Sequence, residues 1–202
     1  MSSSTDLARR VHAEFRGKPE SRHIAGEFAL IELSKLLDET APQRVLEIGA
    51  GIGTITKLLL THPKRPGSLT SSEAVPVCLR EFEKNLAGVD RAGFKLIASI
   101  GELDPKSTFD LVIFDGTLDE EKQYDIFAAG TRCFVEGNRR ETREALSMHL
   151  AGRSLAINFT QLFPGGKKLK FWSKRRFAGF RLPALTFKPV KGCSIGLVSS
   201  VS

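Results

Sequence analysis

Two patterns of apolar and polar residues alternate along the chain. Short apolar runs predict buried strands, and stretches with apolar residues three or four positions apart predict helices. Strands are predicted at 44–48, 68–72, 94–100, 110–114, 132–135, 154–159 and 193–201. Helices are predicted before and between them at 22–37, 54–60, 75–86, 119–129 and 139–150. This alternation predicts an α/β, Rossmann-like fold: a mostly parallel, seven-stranded sheet with helices on both faces.

The length of the chain sets its domain organisation. A chain of 202 residues is long enough for one α/β domain with a full core. Residues 1–20 are mostly polar and predict a flexible N-terminal segment, so the single domain is expected over 21–202. We find neither an apolar run long enough to span a membrane nor the apolar core of a secretory signal. No membrane partner is therefore expected.

The clearest chemical motif directly follows the first predicted strand. Residues 47–53 are Glu-Ile-Gly-Ala-Gly-Ile-Gly. Glycines let the backbone turn sharply and approach a ligand closely. A dinucleotide fingerprint would need its third glycine at position 54, which is Thr54, and a phosphate-binding loop would need a Gly-Lys-Ser/Thr ending. The carboxylate of Glu47 is also better suited to a cationic or zwitterionic ligand than to a pyrophosphate.

This motif resembles the first motif of class I S-adenosylmethionine-dependent methyltransferases, acid-x-Gly-x-Gly-x-Gly. The resemblance implies S-adenosylmethionine as the cofactor, with its amino-acid part in the glycine loop. It implies that Glu73, after the second predicted strand, binds both ribose hydroxyls, a role for which a carboxylate has the right acceptors. The predicted cofactor-binding residues are Glu47, Gly49, Ala50, Gly51, Gly53, Glu73, Ala74, Gly101, Glu102 and Asp115. The alternative is that the glycines only form a tight turn and that Glu73 caps the next helix.

A second motif narrows the class of methyltransferase. Residues 109–116 are Phe-Asp-Leu-Val-Ile-Phe-Asp-Gly, which resembles the fourth-strand signature of the catechol O-methyltransferase-like group. The Asn/Asp-Pro-Pro-Tyr/Phe tetrad of enzymes that methylate amino groups of nucleic-acid bases is missing. The resemblance implies an enzyme that transfers a methyl group to an oxygen of a small molecule. An RNA methyltransferase and a catalytically silent binding domain are the alternatives.

Methyl transfer needs in-line positioning and a base for the proton of the nucleophile. Asp115, which the resemblance places at the substrate, is the first candidate for that base. His23 is the second candidate, although a solvent-facing or helix-capping role explains it more simply.

The residues after the fifth predicted strand raise the question of a metal. In metal-dependent members of the group, a divalent cation is held by the acid after the fourth strand and by an Asp-Asn pair after the fifth. Here the corresponding residues are Asp115 and the sequence Glu136-Gly137-Asn138, with one residue inserted. We favour the interpretation that Glu136 pairs with Arg139 or Arg140 and that Asn138 caps the next helix. A metal held by Asp115 and Glu136 is the alternative that we do not favour.

The charge and the cysteines add two weaker indications. The net charge is +7, and residues 165–176 combine six cations with two aromatic side chains: Lys167, Lys168, Lys170, Lys174, Arg175, Arg176, Phe171 and Trp172. Such a stretch is able to bind nucleic acid, an acidic substrate or a second subunit in a homodimer, or it is simply solvated. The three cysteines are distant from one another and odd in number, which favours reduced thiols and a cytoplasmic location.

Overall fold

The computed structural model describes residues 3–116, 126–166, 168–171 and 192–201. The helices in these residues are α1 Ser4–Phe15, α2 Glu27–Thr40, α3 Thr54–Thr61, α4 Pro76–Asn85 and α5 Arg140–Ala151. Two short 3-10 turns lie at Ser21–His23 and Ile100–Glu102. The strands are β1 Arg44–Ile48, β2 Ser68–Ser72, β3 Phe94–Ile97, β4 Leu111–Phe114, β5 Arg132–Glu136, β6 Leu155–Leu162, β7 Lys168–Phe171 and β8 Cys193–Ser200. No helix within these ranges is long and apolar enough to cross a membrane.

The strands form one sheet in the order β3-β2-β1-β4-β5-β8-β6-β7. Strands β1 to β5 pair in parallel, whereas β8 is antiparallel to β5 and β6, and β7 is antiparallel to β6. The predicted α/β sheet is confirmed with all seven predicted strands, and β7 is an additional strand within the basic stretch. The strand order reverses between β1 and β4, where Ile48 is paired with Phe114. A ligand of such a sheet binds beyond the carboxyl ends of the strands at this reversal.

Helices cover both faces of the sheet, as predicted. Along β4, Leu111 and Ile113 belong to the apolar cluster that contains α1, α2 and α3 residues. Val112 and Phe114 belong to a second cluster, which includes the α5 residue Leu146. Because successive strand side chains point to opposite faces, an uninterrupted apolar strand of this kind is buried on both sides. The central strands are therefore buried in the core, and they hold the loops at their ends in place.

The start of the chain differs from the expectation of a flexible segment over 1–20. Helix α1 begins with a capping box, in which Asp6 donates its amide to Ser3 Oγ and the Asp6 carboxylate accepts the Ser3 amide. Ala8, Val11 and Phe15 are buried in the core cluster that α1 shares with α2 and α3. These three residues are three or four positions apart, so they form one apolar stripe on the helix. The mostly polar start of the chain is therefore a helix that packs on the core through one narrow apolar stripe.

Two predicted helices differ from what the structure shows. The helix predicted at 22–37 begins only at Glu27, because residues 21–23 form a 3-10 turn. Part of the helix predicted at 119–129 lies in 117–125, outside the described residues, and residues 126–129 are not helical.

Candidate functional site

The glycine loop lies where the sheet reverses its strand order. The Gly49 amide donates to the Ser72 carbonyl at 3.1 Å, and the Gly116 amide donates to the Ile48 carbonyl at 2.9 Å. Gly49 has a φ of 87°, and a Cβ atom there would lie 2.6 Å from the Gly116 backbone nitrogen. The loops that follow β1 and β4 are therefore in backbone contact, and only glycine fits at position 49.

Glu73 joins the end of β2 to the glycine loop. Its Oε2 accepts the Gly51 amide at 2.7 Å, and its Oε1 accepts the amides of Ala74 at 3.0 Å and Val75 at 2.7 Å. Val75 is the N-cap residue of α4, so the expected capping role is partly present. A carboxylate has about four acceptor positions, and three are used here, so one on Oε2 remains for a hydroxyl of a ligand. Above Gly51, where a Cβ would meet no atom within 4 Å, the loop faces open space.

Glu47 is fully buried within β1. Its Oε2 accepts hydrogen bonds from the hydroxyls of Thr56 and Ser71, whereas its Oε1 has no partner. Burial raises the pKa of this carboxyl to about 7, although the two hydroxyl hydrogen bonds act in the opposite direction. A buried acceptor without a partner is costly, so Oε1 of Glu47 is unusual among the buried polar atoms of the described residues.

Gly53 and the turn after β3 complete the cofactor residues predicted from the sequence. Gly53 has a φ of 94° and precedes α3, packed against Phe82 of α4. In the turn after β3, Glu102 Oε1 accepts the amides of Ala98 at 2.9 Å and Ser99 at 3.0 Å. Gly101 and Glu102 are exposed, and their predicted role in binding the cofactor stays a prediction.

Two carboxylates and one guanidinium meet at the ends of β4 and β5. Asp115 and Glu136 are only 12% and 14% exposed, and Arg139 Nη2 lies 3.3 Å from Asp115 Oδ1 and 3.7 Å from Glu136 Oε2. Burial raises the pKa of Asp115 well above its ordinary value, the neighbouring Glu136 raises it further, and Arg139 opposes both effects. The environment of Asp115 therefore favours its protonated form more than that of an exposed aspartate does.

The contacts of the neighbouring residues decide between the interpretations of the β5–α5 turn. The expected pairing of Glu136 with Arg139 is confirmed, while Arg140 pairs with Glu144 at 2.7 Å. The expectation that Asn138 caps α5 is wrong. Its Oδ1 accepts the hydroxyl of Ser194 at 2.8 Å, and α5 has no side-chain cap. Asn138 therefore connects the turn to β8.

This arrangement does not suit a divalent metal. Hard cations need several oxygen ligands converging on one point. Here the guanidinium of Arg139 already binds both carboxylates, Asp115 and Glu136. Within the residues described, no group of three or more His, Cys, Asp or Glu side chains is placed to hold a metal ion. The positive charge beside Asp115 comes from the protein itself.

Several solved structures of similar fold are methyltransferases. The O-methyltransferase of Bacillus cereus, solved in complex with SAH, is 14% identical, with a TM-score of 0.56 over 98% of this chain and 92% of that one. TomG of Streptomyces achromogenes, an O-methyltransferase solved with SAM, is 17% identical, with a TM-score of 0.55 over 99% and 91%. The SAH-bound methyltransferase PaMTH1 of Podospora anserina is 14% identical, with a TM-score of 0.55 over 96% and 88%. The chain has the class I methyltransferase fold.

At these identities the likeness establishes the fold. No protein-family model and no curated protein matches the sequence. The methyltransferase fold nevertheless agrees with the motifs at Glu47–Gly53 and Phe109–Gly116, which predicted it independently.

Two other predicted sites find less support. His23 is exposed in the turn Ser21–His23, and its side chain makes no hydrogen bond or ion pair within the described ranges. Of the basic stretch, Gly165, Gly166 and the backbone of β7 are described, while residue 167 and residues 172–176 lie outside the described part. Binding of nucleic acid or of a second subunit through this stretch stays a prediction.

The methyltransferase fold also has a cavity of about 470 Å³ beside Glu136, which the sequence did not predict. Its walls come from the end of α1, the turn Ser21–His23, the start of α2 and the end of β5. The lining residues are His12, Arg16, Ser21, Arg22, Ile24, Gly26, Phe28, Ala29, Glu136, Gly137 and Gly192. His12 and Arg16 were missed because residues 1–20 were expected to be flexible, and Arg22 was expected only to begin a helix. The Ser3–Asp6 capping box and the apolar stripe of α1 were the available signal.

Proposed function

We propose that the protein is an S-adenosylmethionine-dependent methyltransferase that transfers a methyl group to an oxygen atom of a small molecule. The observation that carries the proposal is the hydrogen bond between the Gly51 amide and Glu73 Oε2 at 2.7 Å. It brings the loop after β1 and the acid after β2 together at the strand reversal, where this class of sheet binds ligands. Neighbours of the same fold that were solved with SAM or SAH support the same cofactor.

The residues at the strand ends suit the chemical groups of this cofactor. S-adenosylmethionine supplies a methyl group on a sulfonium ion, which is already activated for transfer. Glu73 would accept a ribose hydroxyl with the remaining lone pair of Oε2, and the open side of Gly51 leaves room for close approach. The unpartnered Oε1 of Glu47 would accept a hydrogen bond from the cationic amino group. Gly101 and Glu102 would lie near the adenine.

Asp115 is the group that we propose accepts the proton. As the acceptor oxygen takes the methyl group, its hydroxyl proton passes to the carboxylate of Asp115. The raised pKa of Asp115 makes this carboxylate a stronger base than an exposed aspartate. Arg139, 3.3 Å away, opposes this rise in the pKa of Asp115 and so favours the ionised form that accepts the proton.

Replacement of Glu73 tests the assigned cofactor site. Glu73→Ala removes both the ribose acceptor and the tether to Gly51, and we expect it to weaken the binding of S-adenosylhomocysteine at least tenfold in titration calorimetry. Glu83→Ala is the matched control, because Glu83 is an exposed acid on α4 that pairs only with Arg91 among the described residues. An unchanged affinity in Glu73→Ala would remove the role assigned to this carboxylate.

A matched pair of acceptors tests the element that is methylated. Catechol and ortho-phenylenediamine have the same shape and differ in the reacting atoms. With S-adenosylmethionine carrying a labelled methyl group, we expect mass spectrometry to find label on the hydroxyl compound only. Transfer to the amine alone would contradict an oxygen acceptor.

A further inference from the structure

The cavity beside Glu136 carries positive charge that no acid in the described residues balances. Arg16, the C-cap residue of α1, and Arg22, in the turn Ser21–His23, both line the cavity and are exposed. Neither side chain forms an ion pair within the ranges that the structure describes. A guanidinium presents its donors as a planar fork, which matches the two oxygens of a carboxylate or phosphate.

Glu136, the acid that lines the cavity, does not cancel this charge, because it already has other partners. Glu136 has Arg139 at 3.7 Å, and its Oε1 accepts the Gly26 amide at 3.2 Å. The third basic side chain, His12, faces Glu27 at 3.6 Å. The two guanidiniums of Arg16 and Arg22 are thus the uncompensated charges of the cavity.

The remaining walls suit the body of a small organic molecule. Ile24, Phe28 and Ala29 supply apolar surface, and the volume of about 470 Å³ is within the ordinary range of small-molecule sites. A mixture of apolar wall and a few polar groups is typical of a site that orients its ligand.

Glu136 connects the cavity to the proposed chemistry. The carboxylate of Glu136 lines the cavity, and the same Arg139 nitrogen contacts it and Asp115. A ligand in the cavity is therefore able to direct a hydroxyl group to the Asp115–Glu136 pair while another part of it meets the arginines.

We infer that the cavity is the methyl-acceptor site and that it selects a small hydroxylated organic anion, whose carboxylate or phosphate is held by Arg16 and Arg22. This inference rests on the proposed function and adds the charge of the substrate to it.

Binding of a charged probe and of its neutral counterpart tests the inference. The probes are 3,4-dihydroxybenzoate and its methyl ester, titrated into the protein saturated with S-adenosylhomocysteine. We expect the acid to bind at least tenfold more tightly than the ester. Phenyl phosphate as a third probe separates phosphate from carboxylate recognition, and tighter binding of either anion supports the inference. No binding of either anion at millimolar concentration overturns it.

The double variant Arg16→Gln/Arg22→Gln should lose about tenfold in affinity for the preferred anion and leave the affinity for the ester unchanged. Both arginines are exposed, so the fold should tolerate the change. The control variant Arg80→Gln/Lys95→Gln removes two cations from exposed positions on α4 and β3 and should leave both affinities unchanged.

The outcomes distinguish this inference from the proposed function. If the Arg16→Gln/Arg22→Gln variant instead binds S-adenosylhomocysteine more weakly, the cavity serves the cofactor and the inference is overturned. If the control variant loses as much affinity for the anion, the effect comes from net charge alone, and the inference is also overturned. If the protein binds no S-adenosylhomocysteine but binds the anion through these arginines, the proposed function fails while the anion site remains.

Discussion

The acids at the two halves of the site are held in different ways. After β2 and β3, Glu73 and Glu102 accept hydrogen bonds from backbone amides of adjoining loops. After β4 and β5, Asp115 and Glu136 face each other and the guanidinium of Arg139. Main-chain hydrogen bonds fix geometry with little dependence on other side chains. In the second half, the protonation of Asp115 depends on two other side chains, Glu136 and Arg139.

This difference matches the two tasks of the proposed enzyme. A cofactor site needs a fixed shape, because the cofactor is always the same molecule. An acceptor site needs a defined proton acceptor and a wall that differs between substrates, and here that wall includes Arg16 and Arg22. The largest mutational effects on stability are therefore expected in the first half, and effects on ion binding in the second.

The strongest test of the rigid half is at the contact between backbones. Gly49→Ala would place a Cβ 2.6 Å from the Gly116 nitrogen at a φ of 87°. The loops after β1 and β4 would have to separate, and we expect a loss of roughly 3 kcal/mol or more of unfolding free energy. Urea denaturation measures it, and binding of S-adenosylhomocysteine should be lost as well.

Gly51→Ala is the matched control for this test. Gly51 also has a positive φ, 53°, but a Cβ there would meet no atom within 4 Å. The expected cost of this substitution is backbone strain alone, a loss of about 1 kcal/mol of unfolding free energy. Equal destabilisation by the two variants would show that the contact between the loops is not what makes position 49 special.

Glu47 offers a pH-dependent test within the same half. Its pKa is raised from 4.5 to about 7, so the folded protein holds a proton there that the unfolded chain has released. Burial of the Glu47 carboxyl therefore destabilises the folded protein little below pH 4.5. This destabilisation grows as the pH rises to about 7 and is constant above that. Glu47→Gln cannot ionise. We expect its stability relative to the wild type to increase by on the order of 2 kcal/mol between pH 5 and pH 8.5.

Urea denaturation at the two pH values measures this effect. Glu102→Gln, an exposed acid in the turn after β3, provides the control and should show no comparable change. A difference between Glu47→Gln and wild type that does not vary with pH would mean that Glu47 has an ordinary pKa. Binding of S-adenosylhomocysteine should weaken in Glu47→Gln, so that stability and function change in opposite directions.

The effect on stability expected at Arg139 is also small, about 1 kcal/mol, because its side chain is one-third exposed. Arg139→Ala leaves Asp115 and Glu136 without their cation, and the two carboxylates then resemble a metal site. We expect Mn²⁺ binding, followed by electron paramagnetic resonance, to appear in the variant and to be weak in wild type. Arg140→Ala is the control, since Arg140 pairs with Glu144. Equal Mn²⁺ binding by wild type and Arg139→Ala would contradict the interpretation that the guanidinium takes the place of a metal.

The sequence predicted the loops of the first half because their signals are local. Residues 47–53 form one continuous loop, and Glu73 directly follows an apolar strand. The glycine spacing thus reports backbone conformation directly. The strand alternation predicted the sheet for the same reason, since burial on both faces makes β4 continuously apolar.

The second half could not be predicted because its contacts join distant positions. The Gly26 amide and Glu136 are 110 positions apart, and their hydrogen bond depends on how α2 docks beside β5. Arg16 reaches the cavity only because α1 packs on the core through Ala8, Val11 and Phe15. Asn138 was expected to cap α5, but the partner it binds, Ser194, lies on β8. Local pattern does not determine such contacts.

Titration calorimetry with S-adenosylmethionine, S-adenosylhomocysteine and NAD tests the central claim most directly. The account predicts one-site binding of the first two compounds and none of NAD, because the glycine spacing and the acids Glu47 and Glu73 fit a zwitterionic nucleoside rather than a pyrophosphate. Failure of both S-adenosylmethionine and S-adenosylhomocysteine to bind the folded protein would contradict the account.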